Sequence, residues 1–219
     1  MRPMLKAAVV LTAAATLITG CGSGSDWSQP HAAPSAIGTL GPGFVDPSTT
    51  PTPEATVTPA PGSWDGVHPS KGYRVVLLTA GEDAPTKALV KAVEAWAEAE
   101  DVDLRTVVST SDHVASTVKA LDMKPDLIVT AGNSLVDPLA LVTPSHLGQQ
   151  FLVVGAELAE PTGNVTSVDW SGASFRGEGL GSASTYDPAS FTADRCSAAV
   201  RAGVAAVLNN LTGIVVWIQ

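Results

Sequence analysis

From residue 73 onward the sequence alternates between two hydrophobic periods, and that alternation leaves few folds open. Residues 73–80 (YRVVLLTA), 103–110 (DLRTVVST), 126–132 (DLIVTAG), 150–156 (QFLVVGA) and 164–171 (NVTSVDWS) are short apolar runs with many β-branched residues. Such runs read as buried strands. Between them lie helical segments at 83–100 and 112–123, and a helix over 134–147 that is kinked or broken around Pro138 and Pro144. Apolar strands separated by helices predict an α/β fold, a parallel sheet with helices on both faces. Right-handed crossovers are expected, with strand order 2-1-3-4-5. In such sheets ligands sit outside the carboxyl ends of the strands, near the switch in strand order.

The helical segments carry local start signals. Asp83 can cap the first helix and Pro85 suits its first turn, while Leu89, Val93 and Trp96 recur at helical spacing and belong to a core. In the second helix Val114, Val118 and Leu121 form the expected apolar face. Residues 172–190 are rich in Gly and Ser and read as a connection. Residues 191–211 return to a helical pattern with Ala-rich faces, and Cys196 on that helix reads as a buried, inert thiol. The final run, 213–219 (GIVVWIQ), reads as a strand that must be paired and buried.

Residues before 73 have a different character. Residues 1–20 have basic Arg2 and Lys6, then an apolar run of small residues, and end in LITG before Cys21. This pattern predicts a secretory signal and resembles the lipobox of bacterial lipoproteins, with Cys21 as the lipidated residue. A lipid there would hold the mature chain on the extracytoplasmic face of the cell membrane. Residues 21–72 are rich in Pro, Ser, Thr, Gly and Ala and read as a tether. Trp27, Phe44 and Trp64 stand out within it; they are either solvated with the tether or docked on the domain, and the composition favours solvation. The expected organisation is therefore a leader over 1–20, a tether over 21–72 and one α/β domain over 73–219.

Charge and composition exclude several functions. Twelve Lys and Arg stand against 21 Asp and Glu, a net charge of −9, and a cleaved leader would remove two of the basic residues. Nucleic acid, which demands a basic face, is excluded as a partner. With Cys21 lipidated, Cys196 has no disulfide partner. His31, His68, His113 and His146 show no metal-ligand spacing. Residues 177–182 (GEGLGS) imitate a dinucleotide fingerprint, but Ser182 replaces the third Gly and no strand directly precedes them. Glu82, Asp83, Asp112, Asp137 and Asp169 lie near strand ends, where Asp83 and Asp112 suit helix caps better than acid–base roles. No enzyme activity, cofactor or metal is expected.

The run 126–157 (DLIVTAGNSLVDPLALVTPSHLGQQFLVVGAE), followed by 164–183 (NVTSVDWSGASFRGEGLGSA), resembles the first lobe of the BMP/PnrA-like (basic membrane protein) lipoproteins. The motif elements are 126–132, 151–155, 164–168 and an aromatic-plus-Gly helix start at 175–177. The family supplies the solute-binding components of ABC importers. The resemblance implies a type I periplasmic-binding lobe, a nucleoside-like small solute and an ABC permease partner. Carried over by position, the ligand contacts would be Gly81, Glu82 and Asp83 after strand one, and Thr110, Ser111 and Asp112 after strand two. Gly132, Asn133 and Ser134 after strand three complete the set. The sequence departs from the family in three ways. Residues 172–190 leave no room for a second lobe before the last helix and strand. Gly155-Ala156 stands where an acid often follows the fourth strand, and the first turn has no aromatic. A one-lobed domain cannot close over a solute, so an envelope interaction or sensor role is the alternative.

Overall fold

The computed structural model describes residues 26–219. The leader over 1–20 and Cys21 lie outside the described residues. Nine strands and four α-helices follow one another: β1 (Ala36–Ile37), β2 (Thr56–Val57), β3 (His68–Pro69), β4 (Arg74–Thr79), α1 (Ala84–Ala99), β5 (Asp103–Val108), α2 (His113–Asp122), β6 (Leu127–Ala131), α3 (Val136–Val142), β7 (Gln150–Val154), β8 (Val165–Asp169), α4 (Ala193–Leu208) and β9 (Val215–Trp217). One seven-stranded sheet has the order β2-β9-β8-β7-β6-β4-β5, with every pairing parallel. Its five strands from β4 to β8 have the expected 2-1-3-4-5 order. β1 and β3 form a separate antiparallel ladder.

The strands are apolar on both faces because both faces are covered. Val75, Leu77, Leu127, Val129 and Leu152 join the core under α1 and α4, with Trp96 among them. Their neighbours Val76, Leu78, Ile128, Phe151 and Val153 join the core with Leu135, Val136 and Leu139. α4 lies close to the sheet because position 203 is Gly: a Cβ there would stand 2.6 Å from Leu152 Cδ1 and Val168 Cγ2. Cys196 is buried on α4, and burial pushes its thiol up to about 11, which makes it inert at neutral pH. In α2 the expected apolar face is turned. Val114 and Val118 are exposed, while Thr117 and Ala120 are fully buried, because these small side chains let α2 pack against β4 and β5.

The segment expected as a solvated tether is, over residues 26–72, packed on the domain. Trp27, Phe44 and Trp64 are buried. β2 adds a parallel strand beside β9, and the carbonyl of Gly213 accepts from the N–H of Glu54 at 2.7 Å. The strand thus covers β9, which would otherwise be an apolar sheet edge. Trp27 donates its indole N–H to Asp103 at 2.7 Å, and the Arg105 guanidinium lies 4.2 Å from the Trp27 ring centroid. The buried Arg74 guanidinium donates to the backbone carbonyls of Trp27, Asp26 and Gln29. These partners lie 45 or more positions away in sequence, so local composition carries no sign of them.

Candidate functional site

The order of the sheet fixes where a crevice can open. β5 lies on one side of β4 and β6 on the other, so the chain reverses direction across the sheet between β4 and β6. Their carboxyl ends lead into residues 80–83 and 132–134. Gly132, at φ 120°, lets the two ends touch: a Cβ there would stand 2.0 Å from the Ala80 carbonyl oxygen. No other residue fits without displacing β4 from β6.

Of the nine residues expected at this edge, Asp83, Gly132 and Asn133 line one common cavity. Asp83 caps α1, accepting from the Thr86 N–H and the Thr86 hydroxyl, both at 2.9 Å. Its carboxylate is thus already occupied by the helix start. Glu82 points outward and pairs with Lys87 at 3.1 Å. Asp112 caps α2 through the Ala115 N–H at 2.8 Å. Thr110 and Ser111 are exposed at the end of β5, Ser134 is exposed at the end of β6, and none of the three lines the cavity. His113 stays close to its own turn, where its Nδ1 lies 2.7 Å from the Ser109 hydroxyl.

The rest of that cavity is lined by Pro85, Thr86, Leu89, Tyr186 and Phe191, and its volume is only about 60 Å³. Ligand pockets for drug-sized molecules run to roughly 300 Å³ and above. The crevice is small because the chain fills it. Phe191 lies edge-on to Trp170, with ring centroids 4.9 Å apart, and Tyr186 lies against Phe191 at 6.0 Å. Gly155, at the end of β7 with φ 76°, makes room for the Phe191 ring: a Cβ there would stand 2.7 Å from Phe191 Cε1. Burial, then the Asp83 charge, raises the Tyr186 phenol above its usual range.

The residues carrying these rings are tied down at both ends. Trp170 donates its indole N–H to the Ser190 hydroxyl at 3.0 Å. The Asp187 N–H donates to the Gly172 carbonyl at 2.7 Å, and the Gly172 N–H donates to the Ser184 hydroxyl at 2.9 Å. Further along, Glu178 N–H donates to Asp137 at 3.3 Å. The helix start implied at 175–177 is absent. Phe175 instead bridges to Ala156 in extended form, and residues 172–187 run as turns and irregular chain.

A second polar group lies beneath this segment. Asp169 is fully buried at the end of β8. One carboxyl oxygen accepts from the Trp170 N–H at 2.8 Å and the Ser174 N–H at 2.7 Å; the other has no hydrogen-bond partner. Burial pushes its pKa up to about 6 despite those two bonds, and the nearby Glu157 charge adds to the rise. Glu157 forms an ion pair with Arg176 at 2.9 Å, and burial raises its pKa against that attraction. Gly155 and Ala156 directly follow β7, and Glu157 comes next. Asp169 was visible in the sequence as a strand-end carboxylate; Glu157 was missed because its neighbour Arg176 is brought in by the turn at 171–176. Asp169 is fully buried, and acid–base catalysis requires hydrogen-bond reach to a reacting group. Asn164, one of the motif residues of the resemblance, ties a loop together, donating to the carbonyls of Thr143, His146 and Gln149.

A larger groove of about 710 Å³ lies open between α1 and α4, lined by Ala84, Ala88, Ala92 and Ala95 with Lys87 and Lys91. Ala193, Asp194 and Ser197 of α4 complete its lining. Among the described residues, no group of three or more His, Cys, Asp or Glu side chains is placed to hold a metal ion. No helix among them is long and apolar enough to cross a membrane.

No protein-family model matches the chain, and no curated protein matches it. Several solved structures are similar in part, among them the following three. An ABC transporter solute-binding protein from Aeropyrum pernix K1 aligns at 24% identity and TM-score 0.37, over 45% of this chain and 29% of that one. A second such protein, from Conexibacter woesei DSM 14684, aligns at 14% identity and TM-score 0.37, over 45% of this chain and 35% of that one. A protein from Peptoclostridium difficile 630 assigned as a lipoprotein (a fragment) aligns at 16% identity and TM-score 0.39, over 64% of this chain and 99% of that one. The aligned part thus spans about a third of the length of the two solute-binding proteins.

Proposed function

We propose that this chain is an extracytoplasmic lipoprotein of the solute-binding type, held on the cell membrane by a lipid on Cys21, that serves as an envelope interaction or sensor module. The lipobox-like LITG-Cys21 sequence and the order of motifs over 126–183 support the class. The observation that carries the module reading is the filled crevice: Tyr186 and Phe191 reduce the space beside Asp83, Gly132 and Asn133 to about 60 Å³. That is room for about two water molecules, not for a nucleoside. A ribose and base need most of their surface buried for useful affinity.

The second reading is an importer component that binds a nucleoside-like solute and delivers it to an ABC permease. It is favoured by the convergence of Asp83, Gly132 and Asn133 at the strand-order switch, where ligands bind in this architecture. Isothermal titration of the chain from residue 22 onward against a panel of purine and pyrimidine nucleosides separates the two. The module reading expects no heat of binding from a folded sample. Micromolar or tighter binding that weakens on Asn133→Ala would establish the importer reading instead.

A further inference from the structure

We infer that the anchored domain stands with the amino edge of its sheet against the bilayer and its carboxyl edge, with the Asp83–Asn133 crevice, turned to the outward space. The inference rests on the anchoring proposed above, and it names the lipid surface as the partner of the amino edge.

Three strand starts lie side by side at that edge. Arg74 of β4 pairs in register with Asp103 of β5, and Asp126 directly precedes β6, whose Leu127 pairs with Val75. The first described residues are fastened to this row. Trp27 donates to Asp103 at 2.7 Å, and Arg74 donates to the carbonyls of residues 26, 27 and 29. His31 Nε2 pairs with Asp126 at 2.8 Å. Trp27 is buried and Arg74 is 6% exposed, so this fastening is part of the fold.

Cys21 precedes Asp26 by five positions. At full extension five residues span about 18 Å. From Arg74 to Ala80, which is still bonded to Ala131 at the carboxyl edge, the chain takes six extended steps, roughly 20 Å. The leash is therefore shorter than the sheet is tall, before the turns at either edge are added. Turning the carboxyl edge onto the bilayer would require the leash to pass the whole height of the domain. The long reach expected of a tether over 21–72 is lost, because residues from 26 onward are bound to the domain. The orientation also weighs on function, since a permease embedded in the bilayer receives solute at the membrane, away from the edge where this crevice lies.

The test uses the mature, lipidated chain in phosphatidylcholine–phosphatidylglycerol vesicles. Single cysteines are introduced at Lys71→Cys, beside the amino edge, and at Ala84→Cys, at the start of α1 on the carboxyl edge; both positions are exposed. Each is labelled with a fluorophore and read against nitroxide-headgroup lipids. Cys196 is fully buried and stays unlabelled. The expected result is quenching several-fold stronger at position 71 than at position 84. Arg74→Met, which removes the donors that hold residues 26–29, should shrink that difference. Equal quenching at the two positions, or stronger quenching at 84, overturns the orientation. Co-sedimentation with vesicles, compared with Cys21→Ser, is measured first. Failure of the unsubstituted chain to co-sediment overturns the anchoring itself and is read separately from the orientation.

Discussion

At Asp169 burial and hydrogen bonding pull in opposite directions. Two backbone N–H groups favour the carboxylate, but full burial outweighs them and pushes its pKa up to about 6. An unfolded Asp titrates near 3.8. Between those values the folded chain binds the proton more tightly than the unfolded chain does. Stability from this group is therefore fully present below about 3.8 and is lost as pH rises through about 6. The Asp169→Asn variant removes the ionisation and keeps an oxygen for the Trp170 and Ser174 N–H groups. Relative to that variant, the parent chain should lose on the order of 2 kcal/mol in urea denaturation between pH 4 and pH 7. A constant difference across that range would show that Asp169 does not titrate there. Gly132 is constrained more simply. Gly132→Ala puts a Cβ 2.0 Å from the Ala80 carbonyl at φ 120°. It should cost about 3 kcal/mol or more in the same assay.

At the scale of elements, the alternation of strand and helix was legible because each period is local. The caps Asp83 and Asp112, Pro85 at the start of α1 and the break at Pro144 were legible for the same reason, whereas no break occurs at Pro138, which sits in the first turn of α3 where a missing N–H costs no helical bond. The 26–72 segment was not. Its composition lacks a period, and its fastening depends on Arg74, Asp103 and Asp126, which only the folded sheet brings into one row. Tyr186 and Phe191 were hidden similarly, in or beside a Gly- and Ser-rich stretch that reads as connection. Three of the residues expected there, Asp83, Gly132 and Asn133, do share one crevice at the carboxyl edge, and its occupation from within depends on Gly155 and Trp170 meeting Phe191 across distant positions. Phe191→Ala should cost about 3 kcal/mol, the usual loss for a buried ring. It should also widen the crevice enough to admit a small aromatic probe such as indole, detectable as a rise in Tm with added probe. An unchanged Tm with saturating probe would show that the vacated space collapses.

For the whole molecule, the two ends of the sheet have separate tasks. The amino edge binds the chain's own first described residues through Trp27, Arg74 and His31. The carboxyl edge holds the crevice and the segment that fills it. The central claim is that Tyr186 and Phe191 occupy this crevice in the folded protein. Nuclear Overhauser contacts in the labelled chain measure it directly. The structure predicts contacts from the Phe191 ring to Trp170 and to Gly155, alongside intact contacts across β4, β6, β7 and β8. An intact sheet without those Phe191 contacts would mean that the crevice is open, and would contradict the account.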